Sequence, residues 1–189
     1  MLKGNLRKEY LEKRILLSEE ERKEKDALIR DGFSGLDIGE KRRLLSYCAL
    51  PERREFNISL IEDRFLQQSP MAVLAWPRIS GSSREMEAVI LEKDALFIKN
   101  RYGILEPIGG EVLHPMDIDL VFVPLIACDE KGYRVGYGKG YYDRYLLRCR
   151  RDLIKIGFSY FEPVDRLDDI HEFDVPLNFC ITPTRIYEF

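Results

Sequence analysis

The sequence predicts an α/β fold in which helices flank a largely parallel central sheet in three layers. Two observations favour this class: short, continuous apolar runs recur along the chain, and segments with helical spacing lie between them. Strands of a parallel sheet read as continuous apolar runs because helices cover both faces of the sheet. No internal repeat or linker-like segment interrupts the chain, so we expect a single domain over residues 1–189.

The first part of the chain is predicted to be helical. Residues 3–17 place apolar side chains near one stripe at helical spacing. Ser18, followed three positions later by Glu21, matches a capping box, so a second helix is expected to begin there. This second helix is highly charged and mostly exposed, and it is expected to reach about Arg30, where glycines follow.

Short apolar runs predict the strands of the sheet. The expected strands cover residues 44–50, 72–76, 86–91, 95–98, 120–127, 153–160 and 179–182. Pro51 and Pro77 are expected to end the first two, because proline cannot donate a hydrogen bond to a neighbouring strand. The third and fourth are expected to pair with each other across a short turn.

Two further helices are expected among these strands. Asn57 could cap one that runs to about Phe65, and residues 141–151 read as another. In a sheet of this kind ligands bind beyond the carboxyl ends of the strands. The segment between the strand at 120–127 and the helix at 141–151 is therefore where a site is expected.

Composition and charge disfavour some classes of protein. The 189 residues are 45% hydrophobic and 33% charged, and the net charge of −3 offers no broad positive surface for nucleic acid. The apolar runs are shorter than a membrane span, and the first residues lack the apolar core of a signal peptide. We expect a cytoplasmic monomer with no nucleic-acid or membrane partner.

The four cysteines and two histidines show no recognisable metal or nucleophile pattern. The cysteines lack the spacing of a zinc or redox site, so reduced and partly buried thiols are expected. No Ser-His-Asp or Cys-His system is indicated, although spacing alone leaves a triad open.

Residues 134–144, which read Arg-Val-Gly-Tyr-Gly-Lys-Gly-Tyr-Tyr-Asp-Arg, are the most informative segment. Glycines at alternate positions permit backbone conformations that side chains forbid and let a ligand approach the amides closely. Such a loop with two internal cations suits a polyphosphate, the tyrosine rings suit a heteroaromatic ligand, and a carboxylate beside phosphate suits Mg²⁺. The alternative is a glycine-rich turn on the surface.

The chain resembles the 5-formyltetrahydrofolate cyclo-ligase (methenyltetrahydrofolate synthetase) family. The similar segments occur in order over almost the whole chain, at residues 3–7, 55, 77–78, 102–107, 119–146 and 174–182. The glycine loop is the most specific of them. The resemblance implies an enzyme that uses ATP and Mg²⁺ to convert 5-formyltetrahydrofolate into 5,10-methenyltetrahydrofolate, with release of ADP and phosphate.

The resemblance also implies roles for residues on the nucleotide side. ATP would be bound by Lys3, Arg7, Arg134, Gly136, Gly138, Lys139, Gly140 and Tyr142. Arg134 and Lys139 would be catalytic, because they would neutralise charge while the γ-phosphate moves. Asp143 and Asp174 would hold Mg²⁺. Taken alone, Lys3 and Arg7 read as exposed basic residues, and Asp143 reads as a partner of Arg144.

On the folate side the implied set includes three tyrosines that would line the pterin. The substrate would contact Leu50, Glu55, Tyr102, Tyr137, Gly138, Lys139, Gly140 and Tyr141. Glu55 could accept hydrogen bonds from the amino groups of the pterin, or it could be a solvated charge. Tyr102 could belong to the core instead. Arg78 could face the acidic tail of the folate or a phosphate.

Four residues depart from the family pattern: Leu125, Cys128, Phe173 and Asn178. They leave open a nucleotide-binding paralogue with the same fold, an altered substrate and little turnover. A further alternative is another enzyme of similar architecture, such as a sugar-phosphate isomerase or a CoA-transferase-like protein. The Tyr-Tyr-Asp sequence after the glycines disfavours that alternative.

Overall fold

A computed structural model of the chain describes residues 1–80, 85–91 and 96–189. The helices are α1 (Lys3–Leu16), α2 (Glu19–Ser34), α3 (Ser59–Gln68) and α4 (Tyr141–Leu146), with 3-10 turns at Pro51–Arg53 and Pro115–Asp117. The strands are β1 (Arg43–Leu45), β2 (Val73–Ser80), β3 (Glu85–Ile90), β4 (Phe97–Lys99), β5 (Leu105–Pro107), β6 (Glu111–Leu113), β7 (Leu120–Val123), β8 (Ala127–Cys128), β9 (Arg134–Val135), β10 (Ile154–Phe158), β11 (Phe179–Ile181) and β12 (Ile186–Glu188). No helix in this described part of the chain is long and apolar enough to cross a bilayer.

A large mixed sheet organises the fold. Among the described residues it has eight strands in the order β12-β11-β10-β7-β1-β2-β3-β6. Neighbouring strands from β11 through β10, β7 and β1 to β2 run parallel, whereas β12, β3 and β6 add antiparallel edges. The pairs β4–β5 and β8–β9 form small hairpins outside this sheet. The predicted class, α/β with a largely parallel sheet, is confirmed.

Helices cover both faces of the sheet. On one face, α2 and α3 contribute Phe33 and Phe65, whose rings meet Phe122 of β7 edge-on at 5.8 and 6.4 Å. On the other face, Tyr145 and Leu146 of α4 pack in a second apolar cluster that includes alternate residues of β7. Because both faces are covered, all residues of β7 are buried, which explains its continuous apolar sequence.

The capping box is confirmed, but the helix that it begins is longer than predicted. The Ser18 hydroxyl accepts a hydrogen bond from the Glu21 amide at 3.1 Å, and the Glu21 carboxylate accepts one from the Ser18 amide at 2.7 Å. The helix continues past Gly32 and ends at Ser34. A methyl group at Gly32 would lie 3.1 Å from Ile181, so the missing side chain permits close helix–sheet packing.

The first two strands differ from their predicted bounds. The first ends at Leu45 rather than residue 50, because the apolar residues that follow line a cavity instead of pairing. The second continues through Pro77 to Ser80. The pairing with β1 stops at Ala75, so the proline interrupts no hydrogen-bond ladder on that side.

The predicted pairing of strands 86–91 and 95–98 is wrong. β3 pairs with β2 and β6, and β4 pairs with β5, where Phe97 opposes Pro107. The expected turn and Ala95, the first residue of the predicted fourth strand, fall within residues 92–95, which lie outside the described residues. The pattern of apolar residues could not identify which strands pair, because a strand can form hydrogen bonds along either of its two edges.

Asn57 does not cap α3. The N-cap is Ile58 and makes no side-chain hydrogen bond, while the Asn57 amide oxygen accepts one from the Ser59 hydroxyl at 2.7 Å. The predicted strand 120–127 ends at Val123, because the chain turns at Pro124 into the β8–β9 hairpin. The predicted helix 141–151 ends at Leu146.

Candidate active site

A cavity of about 540 Å³ opens beyond the carboxyl ends of β1 and β7. This is the edge at which parallel sheets bind ligands. The residues assigned to ATP, folate and metal all line it: Lys3, Arg7, Leu50, Glu55, Tyr102, Arg134, Gly136, Tyr137, Gly138, Lys139, Gly140, Tyr141, Tyr142, Asp143 and Asp174. Segments that are distant in sequence are therefore brought to one place by the fold.

Arg78 lies elsewhere. Its guanidinium pairs with Glu87 of β3 at 2.9 Å and donates a hydrogen bond to the Gly109 carbonyl, also at 2.9 Å. These contacts join β2 to β3 and to the chain before β6. Arg78 is not among the residues that line the cavity.

The glycine loop crosses one wall of the cavity. Gly138 and Gly140 have φ angles of +81° and +66°, conformations that side chains rarely adopt. A methyl group on Gly138 would also lie 3.5 Å from the Arg7 guanidinium. Gly136 differs, because a methyl group there would meet no described atom within 4 Å. Its lack of a side chain leaves room for a ligand rather than relieving strain.

Cations surround this loop. The Arg7 Nε donates a hydrogen bond to the Gly136 carbonyl at 2.7 Å, which fixes α1 against the loop. Lys139 is exposed, and its Nζ lies 5.4 Å from the centre of the Tyr102 ring. A flexible ammonium at the rim and a fixed guanidinium below it suit the recognition of phosphate groups.

Arg134 is buried beneath the loop. Its Nη1 donates to the Val175 carbonyl at 2.5 Å, and its Nη2 pairs with Asp143 Oδ1 at 2.8 Å. Burial lowers the pKa of Arg134, and the neighbouring Asp143 carboxylate opposes that effect. The pair therefore places a fixed, compensated positive charge under the cavity floor.

Asp174 forms the matching ion pair on the other side. Its Oδ2 contacts the Lys3 ammonium and accepts a hydrogen bond from the His171 amide at 2.7 Å. Partial burial would raise the pKa of Asp174, but the His171 hydrogen bond and the Lys3 charge outweigh it and lower the pKa. The carboxylate is thus held in its charged form.

The two carboxylates fit a site for Mg²⁺ completed by phosphate. Within residues 1–80, 85–91 and 96–189, no group of three or more Asp, Glu, His or Cys side chains could hold a metal by itself. Mg²⁺ commonly takes one or two carboxylates and completes its coordination with substrate phosphates and water. Asp143 and Asp174 both line the cavity beside the cationic loop, so this donor set suits that mode.

A buried carboxylate, Glu55, marks the opposite part of the cavity. Only 5% of its surface is exposed. One oxygen accepts a hydrogen bond from the Tyr137 hydroxyl, and the other accepts one from the Leu50 amide at 2.7 Å. Burial raises the pKa of Glu55, while these hydrogen bonds and nearby arginines act in the opposite direction.

The β4–β5 hairpin covers this part of the cavity. Asn100 Oδ1 accepts hydrogen bonds from the Tyr102 and Ile104 amides at 2.8 and 3.1 Å. Glu106 Oε1 accepts one from Asn100 at 2.7 Å and one from the Ile79 amide at 3.0 Å. These contacts place the Tyr102 ring against Tyr141, with ring centres 6.4 Å apart.

Sequence reasoning missed several residues of the site. Arg14 contacts Tyr137, and Asn100 and Glu106 position the hairpin. Among the other lining residues without an assigned role are Tyr47, Cys48, Arg53, Asp169 and His171. Glu106 stood in a similar segment and could have been found from it. Arg14 carried no signal, because it lies in a highly charged helix where an arginine is expected to be solvated.

The four departures from the family pattern do not line the cavity, although Leu125 and Phe173 adjoin the lining residues Pro124 and Asp174. Leu125 is buried against Gly157, and Cys128 is buried with its Sγ 3.5 Å from that of Cys180. Phe173 is 61% exposed. The Asn178 side chain accepts a hydrogen bond from the Lys155 amide at 2.9 Å. None of these four residues is among those lining the cavity.

Comparisons with known proteins agree on one family. Residues 2–183 match the model of the 5-formyltetrahydrofolate cyclo-ligase family. A 5-formyltetrahydrofolate cyclo-ligase of Mycoplasma pneumoniae is 29% identical over 96% of this chain and 98% of its own. That of Mycoplasma genitalium is 39% identical, but over 36% of this chain and 42% of its own. The NMR structure of Aquifex aeolicus 5,10-methenyltetrahydrofolate synthetase superposes with a TM-score of 0.82 at 32% identity, covering 100% of this chain and 93% of that one.

Proposed function

The chain belongs to the 5-formyltetrahydrofolate cyclo-ligase family, and from that premise we propose that it converts 5-formyltetrahydrofolate into 5,10-methenyltetrahydrofolate. The reaction consumes ATP and releases ADP and phosphate. One observation carries the proposal: a single cavity has a cationic glycine loop with two carboxylates on one side and a buried carboxylate with tyrosine rings on the other.

The chemistry explains why both parts are needed. A formamide oxygen is a poor leaving group, and transfer of the γ-phosphoryl group to it makes a good one. N10 of the folate then attacks the activated formyl carbon, and the former formyl oxygen departs with the phosphate. Such a reaction requires positioning and charge neutralisation more than a protein nucleophile.

On the nucleotide side, Lys3, Arg7 and Lys139 bind the phosphates. Gly136 leaves space for them, and Arg134 supplies a fixed positive charge below. Asp143 and Asp174 would hold Mg²⁺, which would supply positive charge to neutralise the phosphates. In the free protein the Lys3 ammonium pairs with Asp174. Lys3 therefore has to exchange this carboxylate for a phosphate group when the nucleotide binds.

On the folate side, Glu55 accepts hydrogen bonds from the N–H groups of the pterin. Tyr102 and Tyr141 contact the flat part of the substrate, as aromatic side chains do in ligand pockets. The protein acts as a cytoplasmic monomer with one domain over residues 1–189. The alternative, a nucleotide-binding paralogue with little turnover, is disfavoured because the departing residues do not line the cavity.

The test is the near-ultraviolet absorbance of the methenyl product. Purified protein is mixed with 5-formyltetrahydrofolate, ATP and Mg²⁺, and each component is omitted in turn. We expect a rise only when all are present. Lys139→Ala should reduce the rate at least about tenfold, since a charge-assisted contact to phosphate is lost. No rise with wild-type protein that ATP still protects against heat would favour the paralogue.

A further inference from the structure

Arg14 is an arginine whose burial needs an explanation. It lies on α1, near the end of a helix that is exposed along most of its length, yet only 5% of its surface is accessible. Its Nη2 donates to the Tyr137 hydroxyl oxygen at 2.8 Å, and its Nη1 donates to the Leu125 carbonyl at 3.3 Å. Removing a guanidinium from water costs several kcal/mol unless charge and hydrogen bonds compensate.

The compensation comes through Tyr137 from Glu55. The tyrosine accepts a hydrogen bond from Arg14 and donates one to Glu55 Oε1, so the three side chains form a continuous chain. Both ends are buried to the same degree, with 5% of each residue exposed. A buried guanidinium therefore faces a buried carboxyl group across a single hydroxyl group.

We infer that Arg14 is a positioning residue for the folate side of the cavity: through Tyr137 it keeps the Glu55 carboxylate charged and oriented toward the pterin. The inference rests on the proposed function, which assigns Glu55 to the pterin. A charged carboxylate accepts hydrogen bonds from ring N–H groups with both oxygens, whereas a protonated one presents a donor of its own. Arg14 does not need to touch the substrate to have this effect.

Glu55 is contacted directly by the Tyr137 hydroxyl and the Leu50 amide, and Arg14 is the buried cation behind Tyr137. The titratable and charged groups that face it are Arg14, Tyr47, Arg53, Tyr137, Tyr142 and Tyr160. The tyrosines are uncharged at neutral pH, because burial raises the pKa of each of them. Arg53 lies over the Tyr137 ring at 4.8 Å but is exposed, so solvent screens its charge.

The first measurement follows the carboxyl group directly. Protein labelled with ¹³C at the glutamate carboxyl is titrated by NMR, and Glu55→Gln identifies the Glu55 signal. In Arg14→Met the pKa of Glu55 should rise by about one unit or more, since burial is no longer opposed by the guanidinium. Arg14→Lys should restore part of the difference. An unchanged pKa in Arg14→Met would overturn the inference.

The second measurement follows binding of 5-formyltetrahydrofolate by calorimetry. Between the Glu55 pKa values that NMR gives for wild type and for Arg14→Met, the substitution should weaken binding several-fold and leave ATP binding unchanged. The loss should shrink as pH rises, because Glu55 ionises above its raised pKa. On a Glu55→Gln background, Arg14→Met should have no further effect on the folate. Lys13→Met, one position earlier on the exposed face, is the matched control.

The outcomes separate the inference from the proposed function. If wild-type protein binds the folate and Arg14→Met binds it equally well at every pH, Arg14 has no positioning role. If the pKa of Glu55 shifts but wild-type protein binds no folate, the proposed substrate is wrong. Arg14 then has no role in folate binding. If Arg14→Met does not fold, Arg14→Gln removes the charge but keeps hydrogen-bond donors and should raise the same pKa; an unchanged pKa in Arg14→Gln would overturn the inference.

Discussion

At the scale of single residues, the site is organised by ion pairs that neutralise its own charges. Arg134 pairs with Asp143, and Lys3 pairs with Asp174. The four side chains are those assigned to phosphate and to metal. In the free protein the residues proposed to bind the cation and the phosphates thus hold each other in fixed positions beside the cavity.

The pair beneath the loop should contribute strongly to stability. Asp143→Asn removes the carboxylate that pairs directly with the buried Arg134 guanidinium, and this should lower the free energy of unfolding by about 2 kcal/mol or more. Urea denaturation measures the change. Asp152→Asn breaks an exposed contact with Arg150 and should have little effect. Equal effects of the two substitutions would contradict the burial argument.

Asp174 should make stability depend on acid pH. Its pKa is lower in the folded protein, so its contribution is present at neutral pH and disappears as pH falls through the folded-state value. Asp174→Asn should therefore be less stable than wild type by roughly 1 kcal/mol near neutral pH, because the ion pair is only partly buried. Thermal unfolding as a function of pH should show the two proteins converging in acid. A constant difference down to low pH would argue against this assignment.

At the scale of elements, two glycines of the loop are required for different reasons. Gly138 needs a positive φ, so Gly138→Ala should lower stability by about 1 kcal/mol. Gly136 has open space, so Gly136→Ala should leave stability unchanged and weaken binding of ATP instead. Thermal unfolding and calorimetric titration with ATP measure the two effects. Wild-type affinity in Gly136→Ala would show that the space is not used by the nucleotide.

The β4–β5 hairpin is predicted to serve the folate rather than the nucleotide. Glu106→Leu removes the acceptor that joins Asn100 to the Ile79 amide, so the position of Tyr102 is no longer fixed. The KM for the folate should rise several-fold, or by about 1 kcal/mol in binding, with little change in the KM for ATP. Glu106→Gln keeps an acceptor oxygen and serves as the control. A parallel rise in both KM values would contradict this division.

The elements also show what the sequence could and could not predict. Apolar runs located the buried strands around Leu120 and Ile156, because both faces of the sheet are covered. The same rule predicted a β1 strand that is too long. Tyr47 and Leu50 are buried where the chain lines the cavity, and they do not pair with a neighbouring strand. Pairing partners and the exact end of α4 depend on contacts between distant segments, which periodicity does not encode.

At the scale of the whole molecule, the fold assembles the site from both ends of the chain. Lys3 on α1 meets Asp174 beyond β10, and Arg14 meets the loop that follows β9. The family resemblance assigned the loop, Lys3 and Asp174 to one site, and all of them line one cavity. The loop carries a specific local pattern, whereas the matches at Lys3 and Asp174 are weak alone and useful only in register with it. Arg14 could not be anticipated, because its burial appears only when α1 packs on the loop.

The central claim is that this molecule activates the formyl oxygen by phosphorylation, and isotope tracing tests it most directly. 5-Formyltetrahydrofolate labelled with ¹⁸O in the formyl group is incubated with the protein, ATP and Mg²⁺, and the released phosphate is analysed by mass spectrometry. We expect one labelled phosphate for each methenyl product formed. Phosphate without label, or product formed without phosphate, would contradict it.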